Sequence, residues 1–145
     1  MTKFIFSAAL LMSLFICSCD HETNCDYTDA VELNVRVAGE LTVLDRRDVP
    51  VTNYPVSIYF QKHRCDGGYD LVAKYSGHTD DNGKWRQLHE VCFSHERDYL
   101  TLTYLVGEGA TQRRQYKHFA YTEIQQTLDA TDSPFVAAHQ YRINR

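Results

Sequence analysis

The chain has 145 residues, 23% of them charged and 12% aromatic, with ten tyrosines and a formal net charge of −4. That length fits one domain with a modest core and starves two. Acids and bases are mixed along the sequence, which excludes the basic stripe of a nucleic-acid binder and the basic patch of a protein held electrostatically on a membrane.

Lys3 opens the chain, and Phe4 to Ile16 is an unbroken run of apolar and small residues closed by Cys17-Ser18-Cys19-Asp20. Crossing a bilayer takes roughly 20 apolar residues in a helix, so this run is too short for a permanent span and reads as a secretory leader. Ile16-Cys17-Ser18-Cys19 resembles a bacterial lipobox, an aliphatic residue three places before a cysteine with small residues between. The resemblance implies that residues 1–18 are removed and that Cys19 is acylated on its thiol and new amine; an ordinary secretory signal cut nearby is the plainer alternative. Each buried methylene contributes about 0.8 kcal/mol, and the several chains of such a lipoprotein hold it without any spanning segment. The implied home is the bacterial cell envelope, lipid-anchored at the outer membrane on its periplasmic or surface face. His21, Glu22, Asn24, Asp26 and Asp29 then make residues 19–30 a flexible acidic tether, with almost nothing to bury. Its acidity also resembles the export signals that send some lipoproteins to the cell surface.

Residues 31–145 read as strands. Val31, Leu33, Val35, Val37, Leu41 and Val43 alternate with polar or small residues up to Leu44, a period of two that predicts a strand with one buried face. Gly39, at the centre of that apolar face, predicts a bulge or bend that lets the strand pass from one sheet to another. After the Pro50 turn, Val56, Ile58 and Phe60 alternate in a second strand. Asp66-Gly67-Gly68 supplies a turn, Leu71 to Ser76 a third strand, and Thr79-Asp80-Asp81-Asn82-Gly83 a tight hairpin turn. Trp85 to Phe93 is a fourth strand of poor alternation, since Gln87 and His89 share the face of Trp85 and Val91. Tyr99 to Val106 is the fifth, with Leu100, Leu102, Tyr104 and Val106 on one face and Thr101 and Thr103 on the other. Gln112 to Tyr121 makes a sixth, Thr122 to Leu128 one helical turn, and Phe135 to Ile143 a seventh. Seven short strands without a long helical period predict an all-β, antiparallel Greek-key sandwich.

Cys19, Cys25, Cys65 and Cys92 remain after the leader. With Cys19 acylated, three thiols permit one bridge in an oxidising compartment. Cys65 and Cys92 both fall in the folded region and are the expected pair, the alternatives using Cys25 to pin the tether to the domain. His89, Cys92 and His95 are the only cluster of metal-ligand types, but residues 89 and 92 point oppositely in a strand, so no metal is assigned. Asp80-Asp81-Asn82-Gly83 lacks the downstream glutamate of a calcium loop and reads as a turn. There is no Gly-rich phosphate loop and no Gly-x-Ser-x-Gly elbow, so neither cofactor nor nucleophile is implied. Arg113-Arg114 and Lys117 read as a solvated strand edge that blocks edge pairing. Tyr54, Tyr59 and Tyr116, with Tyr69 and Tyr141, point outward by strand parity or lie in loops, and supply contact area at low entropic cost.

Four stretches carry a resemblance: Gly39-Glu40-Leu41-Thr42-Val43-Leu44-Asp45, Val49-Pro50 through Ile58, Thr79-Asp80-Asp81-Asn82-Gly83-Lys84-Trp85, and Tyr99-Leu100-Thr101-Leu102. In this order they resemble the transthyretin-like and carboxypeptidase-regulatory-like sandwiches, over residues 39–107. Among those families, Ser133-Pro134-Phe135 with Tyr141-Arg142 is similar to the C-terminal end of 5-hydroxyisourate hydrolases, although Thr42 stands where the resemblance would place a catalytic histidine. The sequence therefore predicts a lipid-anchored sandwich that binds or scaffolds an envelope protein or glycan and does no chemistry. A transthyretin-related hydrolase and a metal-binding envelope protein are the alternatives.

Overall fold

A computed structural model describes residue 25 and residues 31–130 and 133–144. The expected leader, the expected acylation position Cys19 and residues 20–24 and 26–30 of the expected tether lie outside the described residues. The described chain folds as a β-sandwich of two sheets. Its elements are β1 (Leu33–Leu44), β2 (Pro55–His63), β3 (Tyr69–His78), β4 (Lys84–Phe93), β5 (Tyr99–Val106), β6 (Arg113–Ala120), α1 (Tyr121–Ala130) and β7 (Phe135–Arg142). One sheet has the order β4-β1-β7 and the other β3-β2-β5-β6. The alternation of β1 is realised as read: Val35, Val37, Leu41 and Val43 are buried while Asn34 and Arg36 face solvent.

Three local expectations are corrected. The sandwich is not wholly antiparallel, because β7 lies parallel to β1, with Val37 opposite Phe135 and Leu44 opposite Arg142. Parallel neighbours need a crossover, and the helix in the β6–β7 connection lets β7 start from the same end as β1. That helix is ten residues rather than one turn, and Tyr121 and Ile124 bury its inner side. Thr79 to Gly83 is not a hairpin turn, since it carries the chain from β3 in one sheet to β4 in the other. Asp80 holds the turn, its Oδ1 accepting the amides of Asn82 and Lys84 at 2.9 Å each, and Gly83 takes the positive φ of 68° that the bend requires.

Gly39 marks close approach, not a bulge: β1 keeps an unbroken register with both neighbours. A Cβ there would sit 3.1 Å from Ile58 Cδ1 and Leu102 Cδ2 and 3.3 Å from Phe60 Cζ, so the missing side chain lets the opposite sheet press in. The bulge lies instead in the β2–β3 pair, where Phe60 faces Ala73 and Gln61 faces Leu71. It shifts the parity of β3 and decides which residues share the outer face.

The expected Cys65–Cys92 bridge is also corrected. Cys25 pairs with Cys65, with Cα atoms 5.9 Å apart and a sequence separation of 40, and the exposed Cys92 thiol is unbridged among the described residues. Cys92 points away from the sheet interior because it alternates with the buried Val91 and Phe93. Cys65 sits in the β2–β3 turn, where its amide donates to Asp98 Oδ1 at 3.1 Å.

Between the sheets, the buried Tyr104 hydroxyl donates to the Ala137 carbonyl at 2.6 Å and ties β5 to β7. Burial, with a lesser push from Glu40, holds that hydroxyl well above its ordinary pKa. The neighbouring His139 ring lies 5.3 Å from Tyr104, and its Nε2 is enclosed with no hydrogen-bond partner among the described residues. Lys117 is not a solvated edge residue: it turns inward and its ammonium donates to the Ala138 carbonyl. Burial first, then Lys117, pushes the His139 pKa below its ordinary 6.5. The folded state thus takes up a proton less readily than the unfolded chain, so stability is highest above pH 6.5 and falls as the pH drops through that value toward the lowered one. His139→Leu keeps the volume and removes the orphaned nitrogen. It should stabilise the fold by about 1 kcal/mol at pH 7.5, and by more at pH 5, in urea titrations at the two pH values. An equal or lower stability at both would mean that His139 finds a partner.

Candidate functional site

The outer face of the β3-β2-β5-β6 sheet is where the exposed aromatics collect. Register puts Tyr59 opposite Lys74 on one side and Thr103 on the other, and Thr103 opposite Tyr116. Tyr59 and Tyr116 therefore stand in one row, two strands apart, or about 10 Å at the usual strand spacing. The next row places Gln61, Thr101 and His118 side by side, and the one beyond it Tyr69, His63 and Tyr99. Thr101 and Thr103 are each 2% exposed although they face outward, so the larger side chains around them form a rim over a polar floor.

The rim is fixed by its own contacts. The Lys74 ammonium sits 5.0 Å from the centre of the Tyr59 ring, and Arg114 Nη1 donates to the Tyr116 hydroxyl at 3.3 Å. His63 stacks on Tyr99 at 4.4 Å with the rings parallel to within 1°, and His118 Nδ1 is hydrogen-bonded to Thr101 Oγ1 at 2.8 Å. Gln61 Oε1 accepts from Thr103 Oγ1 at 3.2 Å. Burial, then the charge of His118, pushes the His63 pKa below its ordinary value. Tyr69 and Tyr116 remain 63% and 52% exposed, which leaves ring faces for a ligand.

Of the three tyrosines singled out from sequence, the structure brings Tyr59 and Tyr116 together and sends Tyr54 elsewhere. Tyr54, with Arg113, Tyr141 and Asn144, lines a shallow cleft of about 380 Å³ at the open end of the sandwich. Strand parity would also have found Tyr99, which shares the face of Thr101 and Thr103. Tyr69 joins the face only through the bulge.

The other candidates separate. His89 turns inward on β4, its Nδ1 2.7 Å from the Tyr75 hydroxyl, whereas Cys92 points out. His95 is buried in the following turn, where its Nδ1 accepts the Arg97 amide. No group of three metal-ligating side chains converges among the described residues. Tyr141 and Arg142 alternate on β7, Tyr141 turning inward and Arg142 outward to pair with Asp48 at 2.7 Å. No described helix is long and apolar enough to cross a membrane.

No family model matches the chain, and no curated protein does. Among solved structures it is similar to a catechol 1,2-dioxygenase from Acinetobacter, at 12% identity and a TM-score of 0.46, over 77% of this chain and 53% of that one. It is similar as well to a 3-chlorocatechol 1,2-dioxygenase from Rhodococcus opacus, at 11% and 0.46, over 79% and 61%. The dioxygenase domain of a dioxygenase and carbohydrate-binding protein fusion from a cellulolytic Streptomyces matches at 15% and 0.45, over 76% and 80%. The chain spans about half the length of the Acinetobacter enzyme. The sequence reading of a domain that does no chemistry is corrected to this extent: the solved sandwiches the chain is similar to are dioxygenases. At these identities the likeness concerns the fold, and the dioxygenases' reaction is not carried over to this chain.

Proposed function

We propose that the protein is a lipoprotein of the bacterial envelope, acylated at Cys19 and held at the outer membrane, and that it recognises an envelope partner through the outer face of its four-stranded sheet. Its sandwich is of the transthyretin-like, carboxypeptidase-regulatory-like Greek-key type. The β2–β3 and β5–β6 hairpins in one sheet, with β1, β4 and β7 in the other, support that assignment. The observation that carries the reading is the row in which Tyr59 and Tyr116 flank Thr103. It places rigid aromatic contact area on regular strands, where recognition loses little side-chain entropy.

The anchor and the face are tested together in intact cells. Cys19→Ser should abolish partition into the detergent phase, and a photo-cross-linker at position 116 in the parent chain should capture one reproducible envelope species. Replacing Tyr59 and Lys74 by alanine should reduce that capture severalfold. A Cys19→Ser protein that still follows detergent overturns the anchor, and a capture indifferent to Tyr59 and Lys74 overturns the face.

A further inference from the structure

The outer sheet face differs from the rest of the chain in charge. The protein has 19 acidic residues against 15 basic. Yet among the described residues, no outward position in the paired registers of β3, β2, β5 and β6 carries Asp or Glu. The same positions hold the permanent cations Lys74 and Arg114 and the histidines His63, His78 and His118. A face so composed repels cationic ligands and attracts anions, and its apolar side chains besides the tyrosines are Leu71, the covered Leu105, Pro55 and Ala120.

Resting on the function proposed above, we infer that this face binds an acidic glycan whose sugars carry carboxylates, laid across β2, β5 and β6 between Tyr59 and Tyr116. Three features select that class. Two tyrosines about 10 Å apart match the repeat of a disaccharide in an extended chain, so every second ring can stack on one of them. The planar Arg114 fork, already beside the Tyr116 hydroxyl at 3.3 Å, suits a bidentate carboxylate. Lys74, 5.0 Å from the Tyr59 ring centre, offers a second cation at the other end of the row. Between them lies a floor of Gln61, Thr101 and Thr103 whose amide and hydroxyls are tied to neighbours, so it is polar and rigid. A protein partner of comparable affinity would need a buried apolar anchor at the centre of the face, where the two threonines stand instead.

The test uses the full chain solubilised in detergent, with alginate, neutral dextran, dextran sulfate and poly-L-glutamate as probes. Alginate should bind, dextran should not, and added salt should weaken the alginate complex. Changing Lys74 and Arg114 together to glutamine should lower alginate affinity at least tenfold. Tyr116→Leu should lower it severalfold, while Tyr116→Phe, which keeps the ring, should retain most of it. The inference is overturned if dextran binds as well as alginate, if dextran sulfate binds and alginate does not, or if Tyr116→Leu leaves alginate binding intact. It is equally overturned if poly-L-glutamate matches alginate, or if the face proves to be covered by a second copy in sedimentation. A protein captured from position 116 in cells together with failure to bind alginate would remove the glycan and leave the proposed function standing. Loss of both removes the two readings.

Discussion

Replacing Phe60 with alanine should destabilise the domain by roughly 3–5 kcal/mol, the cost of deleting a fully buried aromatic ring. Phe60 is inaccessible to solvent on β2 and meets partners from several strands. Its ring contacts Tyr75 of β3 edge to face at 6.0 Å and the His89 ring of β4 at 5.6 Å. Its Cζ fills the space that the missing side chain of Gly39 leaves on β1. The cavity is therefore walled by strands of both sheets, each held in its own hydrogen-bonded register, and cannot collapse without breaking one. A fall of roughly 10–20 °C in the melting temperature is expected, with the urea midpoint moving in step. Phe60→Leu, which fills most of the volume, should cost far less. A loss below about 1 kcal/mol for the alanine variant would mean that the sheets do not meet around this ring.

The features legible in the sequence are those set by neighbours along the chain. The period-two run of β1, the strand from Tyr99 to Val106 and the Asp-Gly and Asn-Gly turns follow from local sterics and burial, and they recur at nearly the expected bounds. Parallel pairing of β7 with β1 was not legible, because it depends on which sheet edge is open when the chain returns. The spacing of Tyr121, Ile124 and Leu128 fits one helical face, but the polar residues around them leave so narrow an apolar stripe that one turn was all it announced. In β4 the inward Gln87 and His89 obscured the alternation, and His89 is admitted there because Tyr75 supplies its hydrogen-bond partner. At the candidate site, parity found Tyr59 and Tyr116 singly. Their common row, and the absence of acids from the face around them, arise from cross-strand register and from the bulge at Phe60/Gln61, which no local pattern encodes.

Removing the Cys25–Cys65 bridge should lower stability by roughly 2–4 kcal/mol, since closing a loop between ends 40 positions apart restricts the unfolded chain substantially in the loop-entropy account. The clean variant is Cys25→Ser combined with Cys92→Ser, which stops Cys65 from taking the free thiol of Cys92 as a substitute. Cys92→Ser alone should change little, because that side chain is exposed and unbridged. A non-reducing peptide map of the parent should join the peptide holding Cys25 to the one holding Cys65. A Cys65–Cys92 link there, or a double variant as stable as the parent, would refute the bridge. The bridge also bears on the proposed anchor. Cys25 is six residues beyond Cys19, a span of at most about 20 Å when fully extended, and Cys65 is held to the domain by the hydrogen bond its backbone N–H donates to Asp98 Oδ1. With the bridge intact, the end of the sandwich carrying the β2–β3 turn stays within that reach of Cys19. With it reduced, the leash lengthens to the start of β1, so the same variant that loses stability should also gain protease access in the segment before Leu33.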